Sequence, residues 1–151
     1  MAPVIPDPRH LPDDRLLAAY RATRYRVSAP GRDLLLAVDR YDEQLAKLLR
    51  EAWVDSAALI TAWNPRSQQQ ETERNRALQD QLVRELQAAG HPCLPGRNEA
   101  PIDDPEDWNE DSVLALDISL EEARAIAARY GQHAFLWIDK EATPRLVLTA
   151  A

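Results

Sequence analysis

Cysteine, methionine, phenylalanine and glycine are all scarce in this chain of 151 residues: one, one, one and four copies respectively. With Cys93 alone, no intrachain disulfide can form, which fits a reducing compartment. Four glycines leave no glycine-rich phosphate loop, and no Gly-x-Ser-x-Gly nucleophile elbow occurs. No apolar run approaches the roughly 20 residues needed to cross a bilayer. The opening Met1-Ala2-Pro3-Val4-Ile5-Pro6-Asp7-Pro8 has neither the basic region nor the apolar stretch of a secretory signal. The expectation is a cytoplasmic protein with no membrane partner.

Basic charge is also in short supply, with 18 Lys and Arg against 25 Asp and Glu and a net charge of −7. It is unevenly placed: residues 1–50 hold 9 basic and 7 acidic side chains, residues 101–151 only 4 basic and 11 acidic. Nucleic-acid binders draw most of their affinity from neutralising phosphates, so such a partner is disfavoured. The local group Arg21, Arg24, Arg26 and Arg32 is the one exception the pattern leaves open.

What remains is an ordinary globular composition, 45% hydrophobic and 28% charged, long enough for one core and without an internal repeat. Residues 1–10 carry three prolines and read as a loose arm, leaving 11–151 as a single domain. Pro12-Asp13-Asp14 suits a helix start, and Leu16, Leu17 and Tyr20 supply its apolar stripe. Strands are expected at Tyr25–Ala29 and Leu34–Val38, joined at Pro30-Gly31, then a helix from Asp42 to Trp53. Ala57 to Trp63 is a nearly unbroken apolar run, as a strand covered on both faces requires, and Asn64-Pro65 ends it. Ser67-Gln68-Gln69-Gln70 has capping-box spacing and is expected to open a long helix to Ala89, stopped by Gly90. His91 to Trp108 reads mostly as loop, Ser112–Ile118 as a strand, Ser119-Leu120-Glu121-Glu122 as a second capping box. Ala134–Ile138 and Arg145–Leu148 close the chain around a turn at Glu141–Pro144. The fold expected is α/β, bordering on α+β: a mixed sheet of about 5–6 strands with about four packed helices. Trp53, Trp63, Trp108 and Trp137 are expected in the core.

The chemistry-bearing residues cluster at the end of the central run. The stripe Leu78, Leu82, Val83, Leu86 turns polar toward the helix start, through Asn75 and Arg74 to Glu71. In open α/β sheets the crevice beyond a strand's carboxyl end is the usual ligand position, and a helix N-terminus there favours an anion. Two readings stay open: these groups line a ligand pocket, or Asn64 and Asn75 brace the loop while Glu71 pairs with Arg74 or Arg66.

Leu59-Ile60-Thr61-Ala62-Trp63-Asn64-Pro65-x-Ser67, followed by Glu71 and Asn75, resembles the DUF3293 family of bacterial proteins. Two later blocks agree: Trp108-x-Glu110-Asp111-Ser112, with Asp111 where the family has a second glutamate, and Tyr130-Gly131-Gln132, where the family has Phe-Gly-Gln. The likeness runs from about Ala19 to Asp139. It implies no activity, because the family has none assigned.

The candidate ligand-binding set is therefore Thr61, Trp63, Asn64, Ser67, Glu71, Asn75, Trp108, Glu110 and Gln132. Glu71 and Glu110 are the candidate catalytic carboxylates. Glu110 and Asp111 follow Asp103, Asp104, Glu106 and Asp107, an acidic segment that reads as solvated loop and matches no calcium-loop spacing. His10, His91 and His133 show no zinc spacing, and Cys93 has only His91 or His133 as a candidate base. No metal and no cofactor is expected. The leading functional expectation is a binding or regulatory module for a small polar or anionic ligand. The alternatives are a protein-interaction domain, in one form a homodimer, and a hydrolase or phosphoryl-transfer enzyme using Glu71 and Glu110 together.

Overall fold

A computed structural model of the chain describes residues 14–150. The proposed arm at 1–10 and the helix start at Pro12-Asp13 lie outside those residues. In chain order the elements are α1 (Asp14–Ala22), β1 (Arg24–Ala29), β2 (Arg32–Leu36), α2 (Glu43–Ala52), β3 (Ala57–Ile60), a 3₁₀ turn (Pro65–Ser67), α3 (Thr72–Ala88), β4 (Cys93–Glu99), β5 (Asn109–Leu116), α4 (Leu120–Arg129), β6 (Ala134–Ile138) and β7 (Arg145–Leu148).

The seven strands form one sheet in the order β2-β1-β4-β5-β3-β6-β7, and every neighbouring pair is antiparallel. This corrects the expected mixed sheet of 5–6 strands, and the physical reason is β4. Residues 93–99 were expected in a loop because Pro95 and Gly96 interrupt them. Pro95 sits where the strand has only β5 beside it, since the β1 pairing stops at Val27 opposite Gly96. Gly96 is needed there: a Cβ would come within 2.6 Å of Ser112 Oγ and 3.3 Å of Leu59 Cδ1. Adding β4 reverses the direction of β5 relative to β3. The crossovers β3-α3-β4 and β5-α4-β6 each skip one position, and each gap is filled by a strand of the other. The parallel relations that these two connections imply therefore exist only between next-nearest strands.

Strand alternation divides the core into two layers. On one face Tyr25, Val27, Leu34, Leu36, Leu59, Leu114, Leu116, Leu136 and Ile138 pack with Leu45, Ala46, Leu48 and Leu49 of α2. On the other, Ala58, Ile60, Val113, Ala115 and Phe135 meet Leu82 and Leu86 of α3 and Ala123, Ile126 and Ala127 of α4. All four residues of β3 are buried, as a strand covered on both faces must be.

Local signals explain most element ends. Asp42 caps α2 by accepting from Leu45 N at 2.8 Å, and Ser119 caps α4 by accepting from Glu122 N at 3.0 Å. Gly31 takes φ +76 in the two-residue link between β1 and β2, opposite-handed backbone that glycine adopts freely. Two expectations fail. The Ser67–Gln70 capping box does not open α3, which starts five residues after Ser67 with Glu71 as its cap residue. The tryptophans are not a core stripe: Trp53 ends α2 in left-handed backbone and is 93% exposed, while Trp63, Trp108 and Trp137 are half-buried.

Candidate functional site

The apolar run stops making ladder pairs at Ile60, and the next residues turn into a braced corner. Thr61 Oγ1 donates to Asp111 O at 2.6 Å and accepts from Trp63 N at 3.0 Å. Gln79 Oε1, from α3, accepts from Ala62 N at 2.9 Å. Asn64 is buried and left-handed at φ 48, and Arg66 and Ser67 are left-handed too, both at φ 59. Non-glycine residues in that region cost on the order of 1 kcal/mol or more each, and persist only where surroundings fix them.

The fixing is explicit. Asn75 Oδ1 accepts from Asn64 N (2.8 Å) while Asn75 Nδ2 donates to Asn64 Oδ1 (2.9 Å). Asn64 Oδ1 also accepts from Gln70 N at 3.1 Å, and Gln70 Nε2 donates to Asn75 Oδ1 at 2.7 Å. From the opposite side, Arg66 N donates to Gly131 O at 2.6 Å, and Gln132 Nε2 donates to Trp63 O at 3.1 Å. Gly131 itself sits at φ +71, where a Cβ would lie 2.9 Å from Pro65 Cβ. Asn64 and Asn75 brace the loop through these bonds; the pairing of Glu71 with Arg74 or Arg66 is not among the ion pairs formed by the described residues.

Beside this corner lies Glu110, which belongs to β5 rather than to a loop ahead of it. Alternation then turns Glu110 inward and Asp111 to the opposite face. Glu110 stands directly opposite Asn98 of β4, which stands opposite Tyr25 of β1. The Glu110 carboxylate accepts from Asn64 Nδ2 at 3.1 Å, its one hydrogen bond among the described residues. Burial pushes its carboxyl up from 4.5 to about 7, against the Asn64 bond that favours the charged form. Burial likewise pushes the Tyr20 hydroxyl up to about 12, against a bond with Ser67, and holds Tyr25 higher still.

A cavity of about 60 Å³ opens here, under α1 and over one end of the sheet. Thr61, Trp63, Asn64, Ser67, Trp108, Glu110 and Gln132, all expected site residues, line it. Asn75 stands behind the wall as a brace. Glu71 does not line the cavity and is exposed, so no pair of carboxylates converges and the joint Glu71–Glu110 arrangement is corrected. Thr72, Glu73 and Arg74 in the first turn of α3 are exposed and do not line this cavity; Thr72 lines an adjoining cleft of about 430 Å³ that shares Trp63, Asn64, Trp108 and Glu110 with it and adds Arg76 and Arg97.

Tyr20 from α1, Tyr25 from β1 and Asn98 from β4 are among the wall residues that were not expected. Tyr25 and Asn98 follow from the register with Glu110, which is legible only once 93–99 is read as a strand. Glu110 is the one charged side chain among the described lining residues.

Elsewhere, His91 is buried away from the cavity, with Nδ1 against Asp117 O at 2.8 Å and Nε2 against Glu122 at 3.0 Å. Cys93 is half-buried; burial pushes its thiol up, and its Sγ donates to His91 O at 3.4 Å. Among the described residues no three His, Cys, Asp or Glu side chains are grouped to hold a metal ion. No helix among them is long and apolar enough to cross a membrane.

No curated protein and no solved structure matches the chain. A family model described as "Protein of unknown function (DUF3293)" matches residues 60–135, just over half of the chain. That stretch holds all three blocks that meet at the cavity: 61–67, 108–112 and 130–132. The chain belongs to the DUF3293 family.

Proposed function

We propose that this protein is a binding module for one small polar molecule, held in the Glu110 cavity. The observation that carries the reading is a buried carboxyl facing a cavity with no cationic side chain among its described walls. Bracing alone needs no ionisable group, and burying one costs stability unless something pairs with it. Asn64, Asn75 and Gln132 serve the bracing; Glu110 is left facing the open space. At about 60 Å³ the cavity is far below the roughly 300–1,000 Å³ of drug-sized sites, so the molecule is a few heavy atoms or one end of a longer one. A cytoplasmic setting, expected from the sequence, belongs to the same proposal.

The tryptophans supply the test. In ¹H–¹⁵N spectra, a metabolite-sized compound bound here moves the indole signals of Trp63 and Trp108 saturably. Trp53, fully outside, and Trp137, on the opposite face of the sheet, stay still. A polar compound panel that never moves Trp63 and Trp108 overturns the reading. A second reading, acid–base catalysis, is favoured by the Glu110 carboxyl alone, because a value of about 7 lets it give or take a proton near neutrality. The interaction-domain alternative would use exposed Leu35, Tyr41, Trp53 or Ile102.

A further inference from the structure

We infer that the ligand of this cavity is a compact organic cation, an ammonium or guanidinium group whose N–H bonds meet Glu110 and Asn98 between aromatic walls. The inference rests on the binding reading above and names its chemistry. Four of the cavity's polar side chains already spend their donors within the protein. Asn64 Nδ2 donates to Glu110, Gln132 Nε2 to Trp63 O, Thr61 Oγ1 to Asp111 O, and Tyr25 Oη to Tyr20 O at 2.6 Å.

Acceptor capacity remains on Asn98 and Glu110. Asn98 Oδ1 is buried with no hydrogen-bond partner, and its side chain sits opposite Glu110, with Cβ atoms about 5 Å apart. A buried acceptor left alone costs about 1–3 kcal/mol, so the site asks for a ligand rich in donors. Glu110 is the one charge among the described walls, which repels an anion and attracts a cation. Tyr20, Tyr25, Trp63 and Trp108 line the same space, and aromatic rings add about 0.5–2 kcal/mol for a desolvated cation. The expectation of an anion rested on the α3 N-terminus, which does not line this cavity.

Binding then competes with a proton on Glu110. The other titratable groups facing it, among the described residues, are Tyr20 from α1 and Tyr25 from β1, both held neutral by burial. Asn98 of β4, together with Asn64 and Ser67 at the 3₁₀ turn, does not titrate. Among the described groups that face the cavity, Glu110 alone titrates between pH 6 and pH 8.

The test titrates the full chain with methylguanidinium, methylammonium, acetamide and acetate at fixed ionic strength, following the four indole signals at pH 6 and pH 8. The expected result is saturable movement of Trp63 and Trp108 by at least one of the cations. Its Kd is about tenfold weaker at pH 6, where the carboxyl is mostly protonated. Glu110→Gln abolishes the pH dependence and weakens binding at pH 8 by at least tenfold. Should that variant not fold, the wild-type pH comparison decides alone. Movement by acetate with the cations silent overturns the inference, as does cation binding of equal strength at both pH values. Movement by acetamide alone overturns the cation and leaves the binding site standing. Silence from all four overturns both.

Discussion

Glu110 is the residue on which the site turns, and its environment makes a prediction about stability. Its folded value of about 7 lies above the ordinary 4.5, so the folded state keeps a proton that the unfolded chain has already released. The stability this confers is full below about pH 4.5 and is lost as pH rises through about 7. Between pH 5 and 8 the loss is about 2–3 kcal/mol. Gln carries no charge and still offers Asn64 an acceptor. Glu110→Gln should therefore gain on the wild type as pH rises, with the Tm difference widening by roughly 5–10 °C from pH 5 to pH 8. A parallel pH dependence of the two proteins in calorimetry contradicts the burial argument. The type of this residue was legible in the sequence, but its direction was not. An expected strand start at Ser112 gives no basis for sending Glu110 inward and Asp111 outward; the observed start at Asn109 does.

At the scale of elements, the junction between the 3₁₀ turn and α3 stores strain that a few polar bonds hold in place. Asn75→Ala removes the partner of Asn64 N, Asn64 Oδ1 and Gln70 Nε2 together. The expected cost is about 2–4 kcal/mol in chemical denaturation, larger than one hydrogen bond because Asn64 is buried. Loss of under 1 kcal/mol would mean the left-handed corner does not depend on it. Across the gap, Gly131→Ala meets both a positive φ and Pro65 Cβ at 2.9 Å, so a loss of about 2 kcal/mol is expected from the same measurement. A neutral substitution there would show that the contact relaxes freely. The sequence showed that Asn64-Pro65 ends a buried run and that Asn75 extends a buried stripe. It misplaced the helix start because Ser67–Gln70 has the spacing of a cap. In the fold the Gln70 N–H goes instead to Asn64, six residues back and outside the capping-box pattern.

The whole molecule owes its topology to the interleaving of two crossovers, and its most protected part should be where they interleave. β3 and β5 each have a strand on either side and a packed layer on both faces. Their amides should exchange slowest, and those of the edge strands β2 and β7 fastest within the sheet, in native-state hydrogen exchange. Uniform protection across all seven strands would contradict this. Helix number and the buried β3 were legible from periodicity and apolar runs. Strand direction was not, because one unrecognised strand, β4, disguised by Pro95 and Gly96, inverts every relation after it. The same missing strand hid Asn98 and with it half of the cavity's recognition chemistry. All of this converges on one claim: that the three blocks at 61–67, 108–112 and 130–132 enclose a desolvated carboxyl ready for a ligand. A ¹³C-carboxyl NMR titration of Glu110 in the free protein tests it most directly. A midpoint near 7 is predicted; a midpoint near 4.5 would mean a solvated carboxyl and no enclosed site.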